Sequence, residues 1–185
     1  EQMKVMADAG HEKSLNVHLD GARIFNAAVA LDVPVADLTE HVDSATFCLS
    51  KGLSCPIGSI VVGSEEFIQE ADRWRKMLGS GMRQVGIVAA AGLIALDSMV
   101  ERMQEDHDSA RYIATRMAEM KGISVDPEHI QTNIIRFRVP PHTGNQIASR
   151  LKEEGVYING GDSDLRLVTH YGVTNEDYEF AISAL

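Results

Sequence analysis

What most constrains this chain is a junction that recurs between Leu15 and Gly63, where short apolar runs are each stopped by glycine or a charged residue. "LNVHL" ends at Asp20 and Gly21 and gives way to "ARIFNAAVAL", which has the composition of a helix; "SATFCLS" stops at Lys51 and Gly52; "GSIVVG" has glycine at both ends. Such runs predict strands, and the first junction reads as strand, turn, helix. A second short helix is predicted around Leu38 to Glu40, after Pro34. Runs that are apolar on both faces and joined partly by helices suit the middle of an α/β sheet covered on both sides.

Downstream, "SEEFIQEADRWRKML" places Ser64 at an N-cap with Glu near the third helical position, a capping-box pattern, and closes on Gly79. The Gly-rich turn "GSGMRQVG" leads into an apolar helix predicted from about Ile87 to Met103, placed to connect two domains. From His107 the texture changes to an exposed charged helix ending at Met120, then an alternating strand "NIIRFRV" and a helix from about Asn145 to Glu154. Short strands around Tyr157 and Leu165 and a final helix after Thr174 complete the order of a small α+β domain. The expected division is therefore 1–105, the C-terminal part of a larger α/β domain with its connecting helix, and 106–185, the small domain. Few strands are available for a doubly wound sheet and Glu1 is not Met, so an N-terminal part of the larger domain is expected outside these residues.

Composition excludes several classes. The longest weakly charged segment, "VGIVAAAGLIALDSMV", is interrupted by Asp97 and falls short of the ~20 apolar residues that span a bilayer, so a soluble protein is expected. A net charge of -10 leaves no basic surplus for phosphates, which argues against nucleic acid and anionic membranes as partners. Cys48 and Cys55 form no CxxC, and no signal peptide is visible, which together point to a reducing cytoplasm. The seven histidines show neither H-x-x-x-H nor Cys-His spacing, so no metal site is expected. The Gly-rich turn follows a helix and lacks G-x-G-x-x-G spacing, which argues against a dinucleotide loop.

Two positions carry chemistry at strand ends. Asp20 lies just past the end of a strand, where open α/β sheets place ligands, with Gly21 and Ala22 leaving space beside it and Arg23 available for an anion. The plainer alternative is an N-cap aspartate with a solvated arginine. If "SATFCLS" is the neighbouring strand, Lys51 faces the same crevice. A partly desolvated amine beside other cations is a nucleophile for carbonyl carbon, and an aspartate can hold a protonated pyridine nitrogen. An exposed lysine ending a strand remains the alternative. His18 shares strand parity with Asp20, and His170 lies near Arg166 in sequence.

The segments "HLDGAR", "TFCLSKGL", "RKMLGSGMRQ" and "LRLVTH", in that order from Val17 to His170, resemble the low-specificity L-threonine aldolases. These are pyridoxal 5'-phosphate enzymes of the aspartate aminotransferase fold, fold type I, so the resemblance implies that fold, that cofactor, and cleavage of a small β-hydroxy amino acid substrate to glycine and an aldehyde. By the same resemblance Lys51 would be the lysine bonded to the cofactor, Asp20 the acid on its ring nitrogen, Ala22 the residue under the ring, and Arg23 a group at its edge or on the substrate carboxylate. Arg166 would clamp that carboxylate, while Lys76 and Arg83 would approach the phosphate or substrate end. A homodimer or homotetramer is implied, with an N-terminal segment or companion chain. The chain departs from the pattern at Ser54 and Cys55, where the family commonly reads "SKGLGAPVG", and at Ser80, where it reads "GGG". A serine in a turn that glycine enters with positive φ is expected to be strained. Serine hydroxymethyltransferase-like or β-eliminating lyases would use the same Lys51 and Asp20, and a non-catalytic fragment needing its companion is the remaining alternative.

Overall fold

Strand β1 (His18–Asp20) lies parallel to β2 (Ser44–Cys48), with Asp20 opposite Thr46. These strands belong to a computed structural model that describes residues 1–185 and divides into two units, Glu1–Glu101 and Arg102–Leu185. A parallel pair needs a crossover. Here it is α2 (Ile24–Leu31), which buries Ile24, Asn26 and Ala28 and stops at Asp32 with φ +54°, followed by a 3₁₀ turn at Val35–Leu38. That turn replaces the short helix expected around Leu38 to Glu40, because it starts directly after Pro34, whose fixed φ suits entry into a first turn.

An element that the sequence reading did not assign, α1 (Gln2–His11), precedes β1. Its end is tied down by Asp43, whose carboxylate accepts from the Val17 N–H at 2.7 Å and pairs with His11 Nε2 at 2.9 Å. Strand β3 (Ser59–Gly63) pairs antiparallel with β2, so the three-stranded sheet, ordered β1-β2-β3, is mixed. It is also exposed along β3, with Val62 43% accessible, so the expected cover on both faces is incomplete within this unit. Helix α3 (Glu65–Met77) starts at Ser64, whose Oγ accepts from the Phe67 N–H at 3.2 Å. Phe67 occupies the third helical position, so the cap forms without the reciprocal glutamate of a capping box. The apolar helix α4 (Gly86–Ser98) ends well before Met103. Arg102 stands at the N-cap position of the next helix without a side-chain cap, and its guanidinium reaches into that helix's first turn to pair with Asp106 at 2.7 Å.

In the second unit, α5 (Met103–Ala118) is not the exposed helix its charges suggested. Met103, Asp106, His107, Ala110, Ile113, Ala114 and Met117 recur at three- and four-residue steps and form one buried stripe, while the charges line the opposite face. That stripe packs on Ile135, Phe137 and Leu165 of an antiparallel sheet ordered β4-β6-β5, made of β4 (Ile134–Phe137), β5 (Asn159–Gly160) and β6 (Leu165–Val168). The strand expected around Tyr157 is thus two residues further on. Buried polar groups pin the end of β6 to α5. Thr169 Oγ1 donates to the Asp106 carbonyl at 2.6 Å, and Asn133 Nδ2 donates to the Thr169 carbonyl at 2.9 Å. Helices α6 (Gly144–Glu153) and α7 (Asn175–Ser183) each begin with a full capping box, at Thr143 with Gln146 and at Thr174 with Asp177.

Candidate active site

The parallel pairing of β1 and β2 brings two chain segments side by side at their C-terminal ends. The ladder continues past Asp20: the Gly21 N–H donates to the Thr46 carbonyl at 2.8 Å, and the Cys48 N–H donates to the Ala22 carbonyl at 3.3 Å. Gly21 is buried, and a Cβ there would press on the Thr46 carbonyl and on Ile24 Cβ, each at 3.2 Å. Its missing side chain therefore serves the close packing of this turn, not the open space that the sequence suggested. The Asp20 carboxylate is exposed and accepts from the Ala22 N–H through Oδ1 at 3.2 Å. Arg23 is half-buried at the N-cap of α2.

Lys51 sits three residues past the last rung, on a closed turn. The Leu49 N–H donates to the Gly58 carbonyl at 2.9 Å, the Cys55 N–H to the Leu49 carbonyl at 3.0 Å, and the Ser54 N–H to the Lys51 carbonyl at 2.8 Å. Leu49, Leu53 and Cys55 are buried beneath it, so the turn is anchored from below, and burial pushes the Cys55 thiol up. Lys51 itself is half-buried, and its amine makes no hydrogen bond or ion pair. Ser54 adopts φ +59°, the left-handed conformation expected where glycine was replaced, whereas at the second replacement the positive φ belongs to Gly79 and not to Ser80.

The cations after α3 form a separate group. Arg75, Lys76, Gly79, Gly81, Met82 and Arg83 line a shallow cavity of about 570 Å³. Lys76 is engaged there by Asp72 at 2.6 Å, whose carboxyl it holds below the usual range, and Arg83 has no ion pair. In the second unit Arg166 lies in the middle of β6, half-buried and without a partner. Asp20 thus ends β1 with Ala22 and Arg23 just after it, and Lys51 follows β2, at or past the C-terminal ends of the parallel pair, while Lys76 and Arg83 line the cavity at the glycine turn.

Both ring nitrogens of His18 are occupied on β2, Nδ1 with Ser44 Oγ at 2.9 Å and Nε2 with Thr46 Oγ1 at 3.0 Å, so the ring ties the two strands together. His170 is exposed, and its Nδ1 bonds the Tyr171 carbonyl at 2.7 Å. Two residues escaped the sequence reading, Arg136 and Asp164. Arg136 is directly opposite Arg166 in the β4–β6 ladder and is bonded to Asp164 at 2.8 Å. Strand alternation in "NIIRFRV" was a usable signal for the face Arg136 occupies; the register that sets it against Arg166 was not.

The chain is 38% identical over 187 residues to low-specificity L-threonine aldolase 1 of Arabidopsis thaliana, covering 99% of this chain and 52% of that protein. It is 43% identical over 176 residues to the low specificity L-threonine aldolase of Escherichia coli, covering 95% and 52% respectively. The chain thus spans about half the length of the curated relatives it matches. A crystal structure of a candidate L-allo-threonine aldolase from Listeria monocytogenes superimposes with a TM-score of 0.79 at 19% identity, over 99% of this chain and 55% of that one, which establishes a shared fold. A sequence model of the beta-eliminating lyase family matches residues 1–140, and the chain belongs to that family.

Proposed function

We propose that this chain is part of a pyridoxal 5'-phosphate-dependent lyase that cleaves threonine, allo-threonine or a related β-hydroxy-α-amino acid between Cα and Cβ, releasing glycine and an aldehyde. The observation that carries the reading is the unpartnered Lys51 amine on a closed turn after β2, with Asp20 at the C-terminal end of the parallel neighbour β1. Similarity to low-specificity L-threonine aldolases along nearly the whole chain supports this reaction.

The donor set fits the cofactor. The Lys51 amine is uncommitted, and the Asp20 carboxylate spends one oxygen on a single backbone N–H, leaving the other for a ring N–H. Lys51 would hold the cofactor covalently, Asp20 its ring nitrogen, Ala22 its lower face and Arg23 its edge. Arg83 and Lys76 would serve its phosphate or the substrate. When bound, the cofactor supplies a protonated ring that withdraws the electron pair left by the broken Cα–Cβ bond. Arg166 would grip the substrate carboxylate with two parallel N–H bonds, fixing which bond at Cα is strained toward cleavage.

Exposed apolar surface supports a larger assembly. Helix α4 is apolar on all sides yet buries only Gly92 and Ala95, with Ile87 83% accessible. Helices of that kind are ordinarily enclosed. An N-terminal segment or companion chain, in a homodimer or homotetramer, would cover this helix and β3. No helix is long and apolar enough to cross a membrane, and the free cysteines suit a cytoplasmic setting.

In the full-length protein, Lys51→Ala is expected to abolish the visible absorbance of bound cofactor and to lower kcat for threonine cleavage by roughly a thousandfold or more. Turnover within tenfold of the parent refutes the assignment. The family match favours β-elimination as a second reading. Product identity separates the two, since threonine cleavage yields glycine and elimination from serine yields pyruvate.

A further inference from the structure

Arg166 shares its sheet face with a second guanidinium and one carboxylate. Arg136 opposes it from β4 and Asn159 from β5. Side chains directly opposite in an antiparallel ladder have Cβ atoms ~4.5–5.5 Å apart, and diagonal neighbours lie ~7–8 Å apart, within reach of long side chains. Asp164 immediately precedes β6, two residues before Arg166, and its Oδ2 accepts from Arg136 Nη1 at 2.8 Å. That bond shows that the carboxylate lies on the face the two arginines share, diagonal to one and next but one to the other.

Asp164 cannot leave this place. Its carbonyl accepts from the Gly161 N–H at 2.8 Å and presses on Gly144, where a Cβ would come within 2.2 Å of it. Only its side chain is free to choose a partner. In the structure it chooses Arg136, and Arg166 keeps no ion pair at all. A neighbouring carboxylate bound to a guanidinium competes for the N–H donors with which that guanidinium would receive a substrate carboxylate bidentately.

We propose that Arg136 is a positioning residue that captures Asp164 and so keeps Arg166 open to the substrate carboxylate. The inference rests on the reading of Arg166 as the carboxylate clamp. Arg136 and Asp164 act through Arg166 and touch no substrate.

Exposed ion pairs favour the paired state by roughly two- to fivefold, so an Asp164 released onto Arg166 would compete with substrate and raise KM by roughly three- to sixfold. The test is a double-mutant cycle in the full-length holoenzyme, read as kcat and KM for threonine, cofactor absorbance, and glycine affinity by calorimetry. Arg136→Gln is expected to raise KM and weaken glycine by that factor with kcat and absorbance unchanged. Asp164→Asn is expected to stay within twofold of the parent, and the double variant to return to within twofold. The proposal is overturned if Arg136→Gln stays within twofold of the parent, or if the double variant stays as weak as Arg136→Gln. It is also overturned if Asp164→Asn tightens binding as much as Arg136→Gln weakens it, which is the signature of a simple field effect. Arg166→Ala separates the two readings. An unchanged KM there removes the clamp itself, whereas a large rise together with a silent Arg136→Gln refutes only the positioning role.

Discussion

Replacing Gly144 by alanine tests how the second unit is held together around Arg166. Gly144 is the first residue of α6, where it meets the β5–β6 turn backbone to backbone. A Cβ there would lie 2.2 Å from the Asp164 carbonyl oxygen and 2.8 Å from that of Gly161, and a Cβ on Gly160 would meet the Gly144 carbonyl at 2.3 Å. No flexible side chain can yield, so the helix start must back away by about 1 Å to reach ordinary contact distance. That movement breaks the bond from the Asn145 N–H to the Gly161 carbonyl, now 2.9 Å. Overpacking costs about 1–3 kcal/mol and the lost bond about 1 kcal/mol, while alanine returns up to about 1 kcal/mol of helix propensity. The net expectation is a loss of about 1–4 kcal/mol, or roughly 5–30 °C in Tm for a unit of this size. Urea and thermal denaturation followed by circular dichroism read it directly. Gly86→Ala is the control, because a Cβ there meets nothing within 4 Å and φ is unexceptional, so it should be neutral or slightly stabilising. A Gly144→Ala variant within 0.5 kcal/mol of the parent, on the order of the usual surface scatter, refutes the close-approach reasoning.

Ser54→Gly should stabilise the chain by about 0.5–1 kcal/mol, because it relieves the left-handed cost at φ +59° and gives back part of it as backbone entropy. An unchanged or lower melting temperature would show that the turn carries no strain. His107 is buried in α5, and burial pushes its imidazole pKa below the ordinary 6.5. The unfolded chain therefore takes up that proton first, so its contribution to stability is complete above about pH 6.5 and is lost as pH falls from there to the folded value. Urea midpoints compared at pH 7.5 and 5.5, on the order of one unit either side of that value, should show lower stability on the acid side. The depressed carboxylates of Asp108 and Asp177 titrate below that interval, so a flat profile contradicts the reading.

The strand-end chemistry was legible because it is written locally. An apolar run stopped by "DGAR" or by "KGL" marks a strand end and its polar stop, and those stops are where Asp20 and Lys51 stand. The cap at Ser64 was legible for the same reason, since it acts within three residues of itself. The orientation of α5 was not, because counting its charges hid the stripe running from Met103 to Met117. Its periodicity was present in the sequence and outvoted by composition. The antiparallel direction of β3 depends on its pairing with β2, which no local pattern records.

The sequence by itself determined that this is an α/β chain with a lysine and an aspartate at strand ends and an arginine on a later strand, since residue type and periodicity suffice for that. Only the tertiary structure decided which of these groups is free. Arg166 is open because register places Arg136 opposite it and gives Asp164 another partner. Lys51 is held out by three backbone bonds and by Leu49 and Leu53 buried beneath the turn. Availability of a charge depends on every neighbour that could neutralise it, and those neighbours are distant in sequence.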